Sequence, residues 1–334
     1  MRAWQIVSDQ GIDALALAEV GVPEPGPFEV KLRVRASSLN YRDLMTVQDP
    51  VARNLPYPRI PNSDAAGEVL AVGEGVTRFK VGSRVATCFF QHWDDGPCTP
   101  AAMASASGGA LDGVLAEAVK LPERALVSIP DHLDYAEAAT LPCAALTAWN
   151  ALMEAGDLKP GSTVLLLGTG GVSIFALQFA KLAGARAIVI SKDDGKLDRV
   201  RAMGAWQTIN YRQHPEWHEE VLKLTGGEGV DLTVEVGGAG TLQRSIQATR
   251  VAGTIALIGI LTGGTIDPVP IMRKSIRLQG IYVGSRRMFQ DMNRAIASHG
   301  LHPVIHERFA FTDAKAAFQA LAAARHFGKL VVTL

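Results

Sequence analysis

The stretch TVLLLGTGGVSIFALQFAKLAGARAIVI, residues 163–190, decides the fold. Val164 to Leu167 form a short apolar run, as expected of a strand covered on both faces. The glycine turn Gly168-Thr169-Gly170-Gly171 follows. Val172, Phe175, Ala176, Phe179, Ala180 and Ala183 then recur at helical spacing and give one apolar face. Gly184 sits near the helix end, and residues 187–190 read as a second strand. The unit is β-α-β, with a right-handed crossover expected. A strand, a glycine turn and a helix start together make an anion site, because free N–H groups and a partial positive charge meet there. Gly168, Gly170, Gly171 and Val172 are therefore candidate pyrophosphate-binding residues of a dinucleotide site. The third position of the glycine fingerprint is Ser173, a small residue that still permits close packing. The same turn is also compatible with a purely structural role in another α/β protein.

Outward from this unit, the end of the second strand bears on the cofactor. Enzymes that use NAD place an Asp or Glu there to accept from the ribose hydroxyls. This chain has Ser191 and Lys192, with Lys196 one turn on. A hydroxyl and two ammonium groups attract the 2′-phosphate of NADP, whereas a carboxylate repels it. Asp193 and Asp194 lie close by and blur the signal, and the lysines also fit as solvated surface charges. Further strands are expected at 232–236, 254–260 and 277–283, with Gly237, Gly259 and Gly284 ending them where close backbone approach is useful. Residues 136–155 are alanine-rich and read as helix, and 309–334 as a helix followed by a strand. Before residue 136 the texture is β. Residues 30–36 alternate apolar and polar, 66–72 read as a strand before glycine turns, and repeated prolines argue against long helices.

A chain of 334 residues predicts two domains, and 48% hydrophobic residues suffice for real cores. Basic and acidic residues balance at 33 each, so no field exists to attract nucleic acid or an anionic membrane. The opening MRAWQIVSDQ lacks the apolar run of a signal peptide, and 251–261 is too short to span a bilayer. A cytoplasmic location is expected. Three cysteines with no C-x-x-C pair give no disulfide framework.

Read in order, PNSDAAGEVLAVGEGV (61–76), FKVGSRV (79–85), DGVLAE (112–117), ATLPCAALTAW (139–149), GTGGV (168–172), GAWQTINY (204–211) and HFGK (326–329) resemble the medium-chain dehydrogenase/reductase superfamily, in its zinc-free quinone-oxidoreductase-like branch. The resemblance covers essentially the whole chain. It implies an α/β chain: a GroES-like, mostly β catalytic domain over 1–142 and 285–334, and a Rossmann domain with a doubly wound parallel sheet over 143–284. It also implies an active site in the cleft, a small-molecule substrate, and a homodimer formed by pairing edge strands near 276–283. Zinc-dependent members use a Cys, a His and a second Cys; the matching positions here are Asn40, Ser63 and Cys143. Only Cys143 is a good ligand, and a catalytic site needs three, so no zinc is expected. Cys143 reads as a small apolar filler near the nicotinamide. Tyr211 and Lys196 match residues that relatives place against the 2′-phosphate, which with Ser191 and Lys192 favours NADPH. Thr147 matches a threonine beside the nicotinamide, and Arg325 stands near the position of a helping arginine.

Without a metal, reduction of an isolated carbonyl is harder, and a conjugated acceptor helps by delocalising charge into an enolate or hydroquinone. The segment Asn40-Tyr41-Arg42-Asp43 stands where the first ligand would be, so the resemblance turns it toward the pocket. Asn40, Tyr41 and Asp43 are the candidate catalytic residues: amide donor, hydroxyl donor and carboxylate. Arg42 and Asp43 equally fit a structural ion pair. The expected activity is NADPH-dependent hydride transfer to a conjugated carbonyl or quinone. A zinc-free alcohol or aldehyde dehydrogenase, and a non-catalytic NADPH sensor or structural protein, remain compatible.

Overall fold

The computed structural model describes residues 1–334 and divides into two compact units, Met1–Leu146 with Gly284–Leu334, and Thr147–Val283. The first unit is mostly β. Strands β1 (Arg2–Ile6) and β2 (Leu15–Glu19) form an antiparallel pair. A seven-stranded sheet contains β3 (Glu29–Ser38), β4 (Asp64–Val72), β5 (Arg84–Thr87), β6 (Ala118–Pro122), β7 (Leu126–Ser128), β14 (Ile305–Ala310) and β15 (Lys329–Thr333). The alternation read at 30–36 is real: Val30, Leu32 and Val34 are buried against Val69, Val85, Val119 and Leu126. Each such side chain removed from water contributes roughly 2 kcal/mol.

Strand β3 serves two neighbours on one edge. Its first half pairs with β6, from Glu29 to Arg33, and its end pairs with β15, from Ala36 to Ser38. A register shift against β4 between Val34 and Ala36 marks the changeover. Bulges of this kind bend a strand and re-aim its side chains. The register Val331 opposite Ser38, carried two residues further, sets Lys329 opposite Asn40. That pairing brings the C-terminal tail to the candidate site.

The second unit is a six-stranded parallel sheet in the order β10-β9-β8-β11-β12-β13. Its strands are β8 (Thr163–Leu167), β9 (Arg186–Ser191), β10 (Gln207–Asn210), β11 (Val230–Glu235), β12 (Thr249–Leu257) and β13 (Arg277–Gly280). The order reverses between β8 and β11, the switch point where doubly wound sheets bind ligands at the carboxyl ends of their strands. Every residue of β8 is buried, as the unbroken apolar run required. No helix of the chain is long and apolar enough to cross a membrane.

One sequence expectation needs refinement and one correction. Residues 136–155 are helical as read, though not as one regular α-helix: a short α-helix, Tyr135–Ala138, precedes π-helical turns at Leu141–Ala145 and Asn150–Glu154 that flank Leu146–Trp149. Pro142 has no N–H to donate, and the Cys143 N–H goes to Asp64 Oδ2 at 3.0 Å instead of to the preceding turn. The strand expected over 277–283 stops at Gly280, so Gly284 does not end it. Val283 is left-handed at φ 57°, and its carbonyl accepts from Asn150 Nδ2 at 2.8 Å.

Candidate active site

In the first unit, Asn40 lies between the end of β3 and the helix Tyr41–Gln48. Its extended backbone (φ −122°, ψ 154°) lets the chain turn into the helix, and its N–H donates to Asp43 Oδ2 at 2.9 Å. Asp43 is wholly buried. Its Oδ1 accepts from Arg42 Nη1 at 3.1 Å, and the Arg42 guanidinium stacks over Phe89 at 4.6 Å. Both oxygens of Asp43 are thus engaged in holding the first turn of this helix. Tyr41 projects into solvent with 44% of its surface exposed.

Sequence reasoning did not single out Lys329. Its side chain is buried, 3% exposed, and its Nζ donates to Leu39 O at 2.6 Å and Asn40 Oδ1 at 2.5 Å. Burial lowers its pKa, while Asp64, Cys143 and Asp43 act in the opposite sense. Asp64 is also fully buried, and burial pushes its pKa up to about 6, against the pull of Lys329. Ser63 Oγ donates to Asp64 Oδ1 at 2.6 Å and the Cys143 N–H donates to Oδ2. The Cys143 thiol is pushed above its ordinary range, first by burial and then by Asp64, which makes it a poor nucleophile. The structure therefore gathers the buried Asn40, Asp43, Ser63, Asp64 and Lys329 and the half-buried Cys143 into one polar cluster. The signal for Lys329 was present in the closing HFGK motif, but its partner lies 289 positions away in the chain.

In the second unit, Gly168 takes φ +74°, open to glycine without strain, and Gly170 caps the helix Gly171–Leu182. The N–H groups of Gly171, Val172 and Ser173 stand in the first turn, where a helix has no internal acceptors. Ser173 does more than fit: its Oγ donates to Leu167 O at 2.6 Å and ties the helix to β8. Thr147 is buried in the helical turn Leu146–Trp149. Ser191 is buried at the end of β9, opposite Asn210 of β10, and its carbonyl accepts the Tyr211 N–H at 3.1 Å. Lys192 is exposed, and burial lowers the pKa of half-buried Lys196. The two aspartates that blurred the sequence signal are engaged elsewhere. Asp193 caps the helix Asp194–Ala202 by accepting the Lys196 N–H at 2.9 Å, and Asp194 accepts from Asn210 Nδ2 at 2.7 Å.

Gly237 follows β11 and Gly259 follows β12; a Cβ on Gly259 would lie 1.9 Å from the Val236 carbonyl, so only glycine fits. A second residue that sequence reasoning missed, the buried Glu235, shapes this edge. Its Oε1 accepts from the N–H groups of Gly237 and Gly238, at 2.7 and 3.1 Å, and from Thr241 Oγ1 at 2.6 Å. Gly284 belongs to the first unit, where it packs against Leu146 and Met288.

Residues 26–131 match the alcohol dehydrogenase GroES-like domain, and residues 171–298 match the zinc-binding dehydrogenase domain. The chain is 41% identical over 345 residues to a zinc-type alcohol dehydrogenase-like protein of Schizosaccharomyces pombe, covering 100% of both. It is 31% identical to a quinone oxidoreductase of Pseudomonas aeruginosa, over 98% of each chain. Among solved structures, an NAD-dependent alcohol dehydrogenase superposes with a TM-score of 0.92 at 34% identity, over 100% of both chains. Matched along its whole length in sequence and in fold, the chain belongs to the medium-chain dehydrogenase/reductase superfamily of oxidoreductases.

Proposed function

We propose that this oxidoreductase reduces a conjugated carbonyl or a quinone with NADPH and works without zinc. The observation that carries the reading is the donor set around Asn40. An amide, a hydroxyl and a thiol stand at the three positions matching the family's zinc ligands, and the amide oxygen is already held by the Lys329 ammonium at 2.5 Å. Ser63 Oγ donates to Asp64 and is not turned outward as a ligand. A divalent cation placed here would meet a fixed positive charge, and of the three matching positions only Cys143 offers a good ligand, so this set does not fit zinc.

NADPH, when bound, supplies a hydride to the β carbon of an enone, and one proton from solvent completes the saturated ketone. The fit of the second unit to this cofactor rests on the Gly168–Gly171 turn with its helix start, and on Ser191, Lys192, Lys196 and Tyr211 beside the end of β9. In the first unit, the Asn40 amide and the Tyr41 hydroxyl are the donors suited to an oxygen that becomes enolate-like. Asp43 holds Asn40 and Arg42 in place. Purified protein is expected to oxidise NADPH in the presence of enones or quinones, to ignore ethanol, and to carry far less than one zinc per chain after dialysis. Efficient ethanol oxidation with inert enones and quinones would overturn the reading, as would stoichiometric zinc.

The names of the relatives favour a second reading, alcohol or aldehyde dehydrogenation with Tyr41 as acid/base; the same assay decides between them. A homodimer is also proposed. Strand β13 is the edge of the parallel sheet, and Ile260, Met272 and Tyr282 in this late part of the unit are 65%, 69% and 47% exposed. Pairing of two β13 edges about a two-fold axis buries such surface. Light scattering is expected to give twice the chain mass; a mass of 35.6 kDa rules the dimer out.

A further inference from the structure

Glu235 ends β11 as a wholly buried carboxylate, and no cation pairs with it. Its Oε1 accepts from the N–H groups of Gly237 and Gly238, at 2.7 and 3.1 Å, and from Thr241 Oγ1 at 2.6 Å. Its Oε2 accepts from Ser245 Oγ. Four donors around two oxygens is the arrangement that a carboxylate anion accepts. The main-chain oxygen of Glu235 takes the N–H groups of Ile258 and Gly259, each at 2.9 Å. One residue thus ties together the turns that follow β11 and β12.

These hydrogen bonds do not by themselves call for a charge. A glutamine of the same shape would keep its Oε1 on the three donors, and its Nε2 would donate to Ser245 Oγ, because a hydroxyl accepts as well as donates. The amide would also avoid taking an unpaired charge out of water. A charge kept where an amide suffices points to something that the charge itself stabilises.

The topology of the second unit says what that is. The sheet order reverses between β8 and β11, so the Gly168–Gly171 turn and the Gly237–Gly238 turn stand on the two sides of the crevice where a doubly wound sheet binds its ligand. A dinucleotide lies across that crevice, one nucleotide to each half of the sheet. The end of β9, with Ser191, is the adenosine side, which leaves the side of β11 and β12 to the nicotinamide. Glu235 Oε1 lies under the turn on that side: a Cβ added to Gly237 would stand 3.2 Å from it. When a hydride leaves with both electrons of its bond, the ring becomes one unit more positive and the conjugated acceptor one unit more negative, before solvent protonates the latter. A fixed negative charge in a desolvated wall favours the positive ring and leaves the neutral, reduced ring almost unaffected.

We infer that the Glu235 carboxylate is a fixed counter-charge for the nicotinamide ring: it favours the oxidised, positively charged form of the cofactor and so assists departure of the hydride. The inference rests on the nicotinamide site of the reading above, though not on its substrate or on NADPH against NADH. Glu235→Gln removes the charge and keeps the shape and the four hydrogen bonds. Glu235→Asp keeps the charge and shortens the reach to Ser245.

Fluorescence and calorimetric titrations of the full chain give Kd for NADP⁺ and NADPH, and for NAD⁺ and NADH, beside the melting temperature. Glu235→Gln is expected to weaken the oxidised form about tenfold and the reduced form less than about twofold, with no fall in melting temperature. Glu235→Asp should melt lower yet keep the wild-type ratio of the two Kd values. A merely structural carboxylate predicts otherwise. Equal weakening of both forms in Glu235→Gln, or no change in either, overturns the inference, as does a Glu235→Asp ratio that follows Glu235→Gln. If Glu235→Gln does not fold, the wild type decides: weaker binding of the oxidised than of the reduced cofactor overturns the inference. A wild type that binds no nicotinamide cofactor overturns the cofactor assignment together with the inference, whereas binding with an unchanged ratio in Glu235→Gln overturns the inference alone.

Discussion

Replacing Tyr41 by Phe is expected to slow turnover of an enone or quinone by about a hundredfold while leaving NADPH affinity nearly unchanged. The change removes one oxygen atom from a side chain that stands in the first turn of the helix Tyr41–Gln48 with 44% of its surface exposed. That helix turn is held by Asp43 through Arg42 and the Asn40 N–H, none of which the substitution touches. The fold should therefore be unaffected, and the loss should appear in kcat. A donor aimed at developing charge is worth about 3 kcal/mol, far more than an exposed tyrosine contributes to stability. Steady-state kinetics with NADPH and a conjugated acceptor check it. If the variant keeps full activity, Tyr41 is not the donor, and the burden falls on Asn40 or a backbone amide.

Changing Ser191 to Asp is expected to raise the Kd for NADPH by tenfold or more, on the order of 1.4 kcal/mol, and to improve binding of NADH. Ser191 closes β9 directly opposite Asn210, with Tyr211 next in the chain and bonded back to the Ser191 carbonyl. On the proposed cofactor reading, a carboxylate at this position would face the 2′-phosphate of NADPH with like charge, and would offer the ribose hydroxyls of NADH the acceptor they need. Asp193 and Asp194 do not already play that part, because one caps a helix and the other holds Asn210. Fluorescence titration of both cofactors with both proteins checks it. Equal affinity of the wild type for NADH and NADPH removes the argument from the end of β9.

The parallel-sheet unit was legible in the chain because its signals are local. A buried strand, a glycine turn and an amphipathic helix lie within residues 163–190, and each follows from neighbours a few positions apart. The alternation at 30–36 exposed β3 for the same reason. Helix geometry at 141–154 was not legible. Alanine content predicts a helix, but the π-turn at Leu141–Ala145 depends on Pro142 and on a carboxylate, Asp64, brought from far along the chain.

The sequence by itself determined the α/β class and the strand, glycine turn and helix of residues 163–190, and its resemblance to the family pointed to the segment Asn40–Asp43. Tertiary structure alone decided what those residues can do. Asp43 is locked by its neighbours, whereas Asn40 is gripped by Lys329 across the β3–β15 register and Asp64 shares its buried surroundings. The physical reason is distance along the chain. Strand and helix periodicity is written in adjacent residues, but desolvation and the pairing of a buried charge depend on which strands become neighbours.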